Sequence, residues 1–266
     1  MWASENRALQ LRHIDRVSFG STCGRFDTFY VTADVSITTE QFNFLAQQAD
    51  KVGTIMNLQV EHQTPPHVTL LGPIKVYDRD LSKKIKVVFD TMKNKLTSWS
   101  MTAERIKSRA SAEPGYALFG KDPMWYVASL AANRAAYTYL FDTFQVAIGY
   151  ALKKEIQYDI DRNTGELVFF NVPRRHVCTL PGYQHPDMYH AHVSIYKLKA
   201  IGNPPEALSD EQRESILNKI YKTIGKRPNG GSLMPETYDI RGNDMFISKR
   251  KVVTVGGNKK SVYKRI

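Results

Sequence analysis

The chain is poor in cysteine, with Cys23 and Cys178 alone among 266 residues. Two thiols exclude a disulfide framework and a cysteine-rich zinc site, and they fit a reducing compartment. Long apolar runs are also missing: no stretch approaches the roughly 18 residues that a membrane span needs. The first residues, with Glu5, Arg7, Arg12, Asp15 and Arg16, lack the apolar region of a signal peptide. A cytoplasmic protein without membrane contact is therefore expected. No Gly-x-Gly-x-x-Gly or Walker-type loop stands at any strand-helix junction, which argues against dinucleotide and P-loop enzymes. No Pro/Gly/Ser-rich linker divides the chain, so one domain over 1–266 is expected. Positive charge, by contrast, is in excess, with a formal net charge of +11. That excess draws polyanions, and a nucleotide or short RNA is the expected partner; no obligate protein partner is implied.

Hydrophobic periodicity alternates between strand and helix. Phe26 to Ser36 reads as a strand, and a capping box of Thr38 and Gln41 opens a helix that Gly53 ends. Leu81, Ile85, Val88, Phe89, Met92 and Leu96 recur at helical spacing between Asp80 and Trp99, with lysines on the other face. Three short runs follow at 100–109, 115–121 and 124–130, read as antiparallel strands, and then a helix from about Ala132 to Lys153. Ile156, Tyr158 and Ile160 turn through Arg162-Asn163-Thr164-Gly165 into a second hairpin strand, Leu167 to Val172. A last helix opens at Ser209, and strands from Tyr238 to Tyr263 close the chain. The pattern predicts an α+β fold of antiparallel sheets flanked by helices, in one bilobal domain with a central cleft. Residues 236–266 form a basic C-terminal β segment, with eight Lys or Arg against three Asp or Glu. Such a segment is either a solvated end or an electrostatic guide for a phosphate-rich ligand.

Two segments carry chemistry. Pro66-His67-Val68-Thr69-Leu70 and Ala191-His192-Val193-Ser194-Ile195 share the order histidine, apolar, hydroxyl, apolar. On a strand, His67 and Thr69 point one way, as do His192 and Ser194, while the valines point into a core. Two imidazoles, each beside a hydroxyl, suit acid-base cleavage of a phosphodiester without a metal or other cofactor. His62-Gln63-Thr64 matches the shortest form of the pattern, but polar Gln63 and the following Pro65 deny it a buried-strand context. The run from His185 to His192 offers a zinc site too few ligands, since Asp187 is its one nearby carboxylate.

The duplicated motif resembles the signature of the two-histidine (2H) phosphoesterase superfamily, which includes LigT-like and viral 2′-5′ phosphodiesterase-like enzymes. Pro66-His67-Val68-Thr69-Leu70-Leu71 is similar to its first motif, and His192-Val193-Ser194-Ile195-Tyr196-Lys197-Leu198 to its second. The resemblance implies two α+β lobes about a cleft and catalysis by His67, Thr69, His192 and Ser194. The family cleaves 2′-linked or cyclic phosphodiesters in nucleotide signals, including 2′-5′ oligoadenylates, and some members are viral immune-evasion enzymes of the host cytoplasm. Others are 2′,3′-cyclic phosphodiesterases or exonucleases acting on RNA ends. A non-catalytic basic RNA-binding protein with structural histidines is the alternative from another class.

The two histidines lie 125 residues apart (67 to 192), wider than in compact members of that family. An insert over about 155–186 is the expected extra piece, and it carries Arg174 and Arg175. Strand alternation puts Tyr196 on the face of His192 and Ser194, where it could stack on a base. Tyr196, Lys197, Arg174 and Arg175 are the expected substrate-binding residues.

Overall fold

The computed structural model describes residues 26–34, 57–64, 67–96, 99–103, 116–119, 124–131, 134–200, 237–255 and 258–266, with scattered positions in 43–54 and 209–215. Among them are two full helices, α1 (Arg79–Lys93) and α2 (Arg134–Leu152). The strands are β1 (Asp27–Asp34), β2 (Leu58–Thr64), β3 (His67–Val76), β4 (Trp99–Ala103), β5 (Tyr116–Phe119), β6 (Met124–Ala131) and β7 (Ile156–Ile160). They continue as β8 (Glu166–Asn171), β9 (Arg175–Pro181), β10 (Ala191–Ala200), β11 (Thr237–Ile240), β12 (Met245–Val255) and β13 (Asn258–Arg265). The helices expected from Thr38 and Ser209 fall mostly outside the described residues. Gly53 and Thr54 are themselves helical, so the first of these helices runs past the glycine expected to stop it.

One hydrogen-bonded path joins the strands in the order β11-β4-β6-β10-β2-β13-β12-β1-β3-β9-β8-β7, with β5 on β6. A further pairing of β10 with β3 closes six of them, β10-β2-β13-β12-β1-β3, into a circuit. All pairs are antiparallel except β13 with β2, which is parallel and departs from the expected wholly antiparallel sheets. Two strands were not anticipated. β2 holds Leu58 and Val60 alternating with Gln59 and Glu61, a pattern short enough to pass for a loop. It also contains His62, so that histidine does lie on a strand. β9 follows the β7–β8 hairpin and pairs with both β8 and β3, which makes 155–186 an extension of the main sheet.

β3 also outruns its expected end at Gly72-Pro73. Gly72 takes φ +133°, and a Cβ there would sit 2.8 Å from Cδ1 of Tyr30. Glycine thus lets the Tyr30 ring lie against β3 while the strand bends and continues.

The circuit has two unlike faces. Phe29, Val31 and Ala33 of β1, Val68 of β3, Val193 of β10 and Met245 and Ile247 of β12 are buried in one apolar core. Ile85 and Phe89 of α1 and Tyr137, Leu140, Phe141, Phe144 and Ile148 of α2 complete that core. α1 starts where the Asp78 carboxylate accepts from the backbone N–H groups of Asp80 and Leu81, at 2.8 and 2.9 Å, and its stripe of Leu81, Ile85, Val88, Phe89 and Met92 packs inward. The other face is polar yet buried. Thr32, Glu61, His67, Ser248 and Ser261 are each under 10% exposed, and cross-strand register and side-chain contacts put them together. Burying polar side chains without partners is costly, so a face of this kind marks a network, a ligand site or both.

Candidate active site

β3 and β10 bring the two motifs together directly. Val68 pairs with Val193 in antiparallel register, both at 0% exposure. Continued by one residue either way, that register sets His67 opposite Ser194 and Thr69 opposite His192, all on the face away from the valines. The two histidines are then diagonal neighbours, with backbones roughly 7–8 Å apart. The side chain of Ser194 is outside the described residues, as is that of Tyr196, and their places are known from the strand alone.

His192 is half-buried, and its Nδ1 lies 2.9 Å from the carbonyl oxygen of His190. A carbonyl only accepts, so Nδ1 carries the proton and the neutral ring holds its lone pair on Nε2. Desolvation lowers the His192 pKa below its ordinary value; the bond to the His190 carbonyl opposes this and the nearby His190 ring adds to it. The ring is thereby held neutral at neutral pH, with its basic nitrogen defined. His67 is 1% exposed and lies against Tyr263, ring centroids 3.9 Å apart at a tilt of 49°. Tyr30 meets the Tyr263 ring edge-on at 5.3 Å.

Thr69 is half-buried, pairs with Thr32 on β1, and its carbonyl accepts from the Tyr189 hydroxyl at 3.0 Å. Tyr189 in turn stacks on Tyr137 of α2, ring centroids 3.6 Å apart and planes within 1°. The approach to the second motif is thus pinned to the first motif on one side and to a core helix on the other. Tyr189→Phe is expected to lower stability by about 1 kcal/mol, read from the midpoint of urea unfolding.

Beyond the histidines the polar face carries an ion network that sequence patterning had not exposed. Glu61 on β2 accepts from Arg250 Nη2 at 2.6 Å, from the Ser261 hydroxyl and from Lys197 Nζ at 3.4 Å. Arg250 Nε donates to Ser261 at 2.8 Å. Burial raises the Glu61 carboxyl pKa, but the bonds from Ser261 and Arg250 and the two positive charges outweigh it, and the net pKa lies below the usual value. Lys197 joins this face because of a β-bulge between Ser194 and Tyr196. The extra residue shifts the alternation by one, so Lys197 takes the position that uninterrupted alternation reserved for Tyr196. By the same register Glu61 belongs to the face and its neighbour His62 does not.

The C-terminal basic segment is built into the sheet, although Arg241, Lys249, Lys251, Lys264 and Arg265 stay exposed on it. β12 and β13 sit between β1 and β2, and they deliver Arg250 and Tyr263 to the histidine face. The available signal was the Gly256-Gly257 dipeptide, of a kind that joins hairpin strands, between Val255 and Asn258, which pair.

Arg174 and Arg175 are elsewhere. They stand at the start of β9, which reaches β3 only through Thr179 opposite Lys75 and Cys178 opposite Val76. That is eight residues along β3 from His67, roughly 25 Å, and Arg175 lies farther still. Arg174 is exposed, its guanidinium 5.9 Å from the Phe170 ring centroid. The structure does not bring this pair to the histidines.

Among the described residues, no group of three or more His, Cys, Asp or Glu is placed to hold a metal ion, and no helix is long and apolar enough to cross a membrane.

No family model and no curated protein matches the chain. Solved structures that match include Usb1 of Kluyveromyces marxianus, at 10% identity and a TM-score of 0.39, covering 89% of this chain and 98% of that one. The same protein with uridine monophosphate matches at 11% identity and a TM-score of 0.41, over the same shares.

Proposed function

We propose that the chain is a metal-independent phosphodiesterase working by two-histidine acid-base catalysis. One observation carries the reading: the Val68–Val193 pairing sets both histidine-hydroxyl motifs side by side on a polar face. His192, neutral with its lone pair on Nε2, takes the proton from an attacking hydroxyl or water. His67, diagonal to it, gives a proton to the departing oxygen, and Thr69 and Ser194 donate hydrogen bonds to the non-bridging oxygens as charge develops. In the reverse sense, opening a cyclic phosphate rather than forming one, the roles exchange.

The substrate is a 2′-linked or cyclic phosphodiester of a nucleotide, and a nucleotide signal such as a 2′-5′ oligoadenylate or cyclic dinucleotide is the favoured one. RNA ends bearing a 2′,3′-cyclic phosphate are the second. One domain from 1 to 266, two lobes about the histidine face and action in the cytoplasm, as by an immune-evasion enzyme, belong to the same proposal. Of the two expected binding residues on β10, Lys197 keeps a proposed substrate-binding role, and Tyr196, whose place on the histidine face the bulge gives to Lys197, does not.

The test is hydrolysis of a panel, namely 2′-5′ oligoadenylate, cyclic dinucleotide and cyclic-ended RNA, in the presence of EDTA. Cleavage of at least one is expected, unchanged by the chelator. The acidic limb of kcat/KM should have its midpoint below 6.5, because the base must be neutral and its pKa is lowered. Intact substrates throughout, or activity restored only by a divalent metal, would refute the reading.

A further inference from the structure

The strands that carry the histidine face have a second side. Met245, Ile247, Lys249 and Lys251 alternate along β12 on the side away from Arg250, and the first two belong to the apolar core. Beyond the core this side turns basic. Lys249 stands directly opposite Lys264 of β13, and Lys251 follows two residues on, roughly 7 Å along the strand. Like charges set across a ribbon repel, so the pairing works against stability. Lys86 of α1 joins the group: its Nζ and that of Lys249 each lie 2.5 Å from the Asp27 carboxylate, which also accepts from the Ser82 hydroxyl at 2.7 Å. Burial raises the Asp27 pKa, but the bonds from Lys249, Lys86 and Ser82 outweigh it and leave the carboxyl well below its usual range. Its single charge is set against four. Lys251 and Lys264 are exposed, and among the described residues no carboxylate pairs with either.

The shape of the patch selects among polyanions. α1 lies over this side of the sheet, with Lys93 Nζ on the Met245 carbonyl at 2.7 Å and Lys86 at Asp27. A helix is about 10 Å thick, so Lys249 and Lys251 stand at the foot of a step. Such a step holds off a planar bilayer, whereas a single nucleic-acid strand can follow it. The two-residue period of a β-strand is also close to the spacing of successive phosphates in an extended single strand.

We infer that Lys86, Lys249, Lys251 and Lys264 form a binding surface for the phosphate backbone of single-stranded nucleic acid, separate from the histidine face. Its contacts are to phosphate, so it selects for chain length and not for base sequence. The inference stands on charge and shape alone and does not need the histidines to be catalytic.

Fluorescence anisotropy tests it with a labelled oligomer of about fifteen 2′-O-methyl uridines, long enough to cover such a surface and lacking the 2′-hydroxyl that a cyclising cut requires. Changing Lys251→Gln together with Lys264→Gln should weaken binding on the order of tenfold at low salt and reduce the slope of log Kd against log salt by about 1.4, two phosphate contacts in a single strand. Lys154→Gln with Arg162→Gln removes the same charge from residues that flank β7, five strands from β12 in the sheet, and should change little. Unchanged affinity in the first variant, or an equal loss in the second, would overturn the surface. So would loss of binding to phosphatidylserine-containing vesicles while the oligomer still binds as before, since the patch would then serve an anionic membrane. Hydrolysis has no part in this measurement, so failure of the surface and failure of the phosphodiesterase reading are told apart.

Discussion

His192→Ala is expected to lower kcat about 10²- to 10⁴-fold on whichever panel substrate is cleaved, with the far-ultraviolet circular dichroism unchanged. The size follows from the work assigned to the ring. Its Nδ1–H is committed to the His190 carbonyl, its Nε2 is the basic atom, and desolvation keeps the ring uncharged at neutral pH. Alanine removes the base while Val193 continues to hold β10 against Val68. His67→Ala should show a loss of the same order, and the double variant should lose little more than either single one, because an acid and a base acting in one step are not additive. His67 is also buried against Tyr263, so thermal unfolding of its variant needs to accompany the kinetics. His62→Ala is the control, since His62 neighbours Glu61 on β2 and belongs to the opposite register. Wild-type rates in His67→Ala or His192→Ala would sink the mechanism.

Phe169→Ala is expected to destabilise the whole chain by about 3–5 kcal/mol. Phe169 on β8 has 0% exposure and meets Phe141 and Phe144 of α2 at 5.8 and 5.9 Å and Tyr158 of β7 at 5.6 Å. α2 carries those contacts into the core beneath β1, β3 and β10. Truncation therefore opens a cavity shared by the β7–β9 region and the rest of the molecule. A single cooperative transition shifted to lower denaturant is the expected result, measured by fluorescence and circular dichroism together. If 155–186 were an appendage, a separate early transition would appear and the main one would stay in place.

The two fully described helices and most of the described strands were legible in the sequence because their apolar residues recur at fixed periods. α1, α2 and the β7–β8 hairpin lie within a few residues of where periodicity puts them. The motif strands were legible for the same reason, and the register of Val68 with Val193 explains why both copies place valine between histidine and hydroxyl. What periodicity misses is what pairs with what. Nothing local in Arg250 or Tyr263 announces that they meet Glu61 and His67, because the contacts span roughly two hundred residues of chain. The bulge that exchanges Lys197 for Tyr196 is likewise invisible, since it answers to the partners of β10 on both sides. Arg174 and Arg175 were attractive as a dibasic pair near the second motif in sequence, yet β9 carries them to the far end of β3.

The closed circuit of six strands has a kinetic meaning. β1 pairs with β12, as in Tyr30 with Ser248, and β2 pairs with β13, as in Glu61 with Lys259. Such long-range closures must absorb their loop entropy before their contacts stabilise anything, and topologies of this kind fold slowly. The histidine face takes residues from β1, β2, β3, β10, β12 and β13, so no partly folded intermediate can hold it complete. Recovery of hydrolysis during refolding should trail the recovery of helical signal, which makes activity a clock for the last strand to dock.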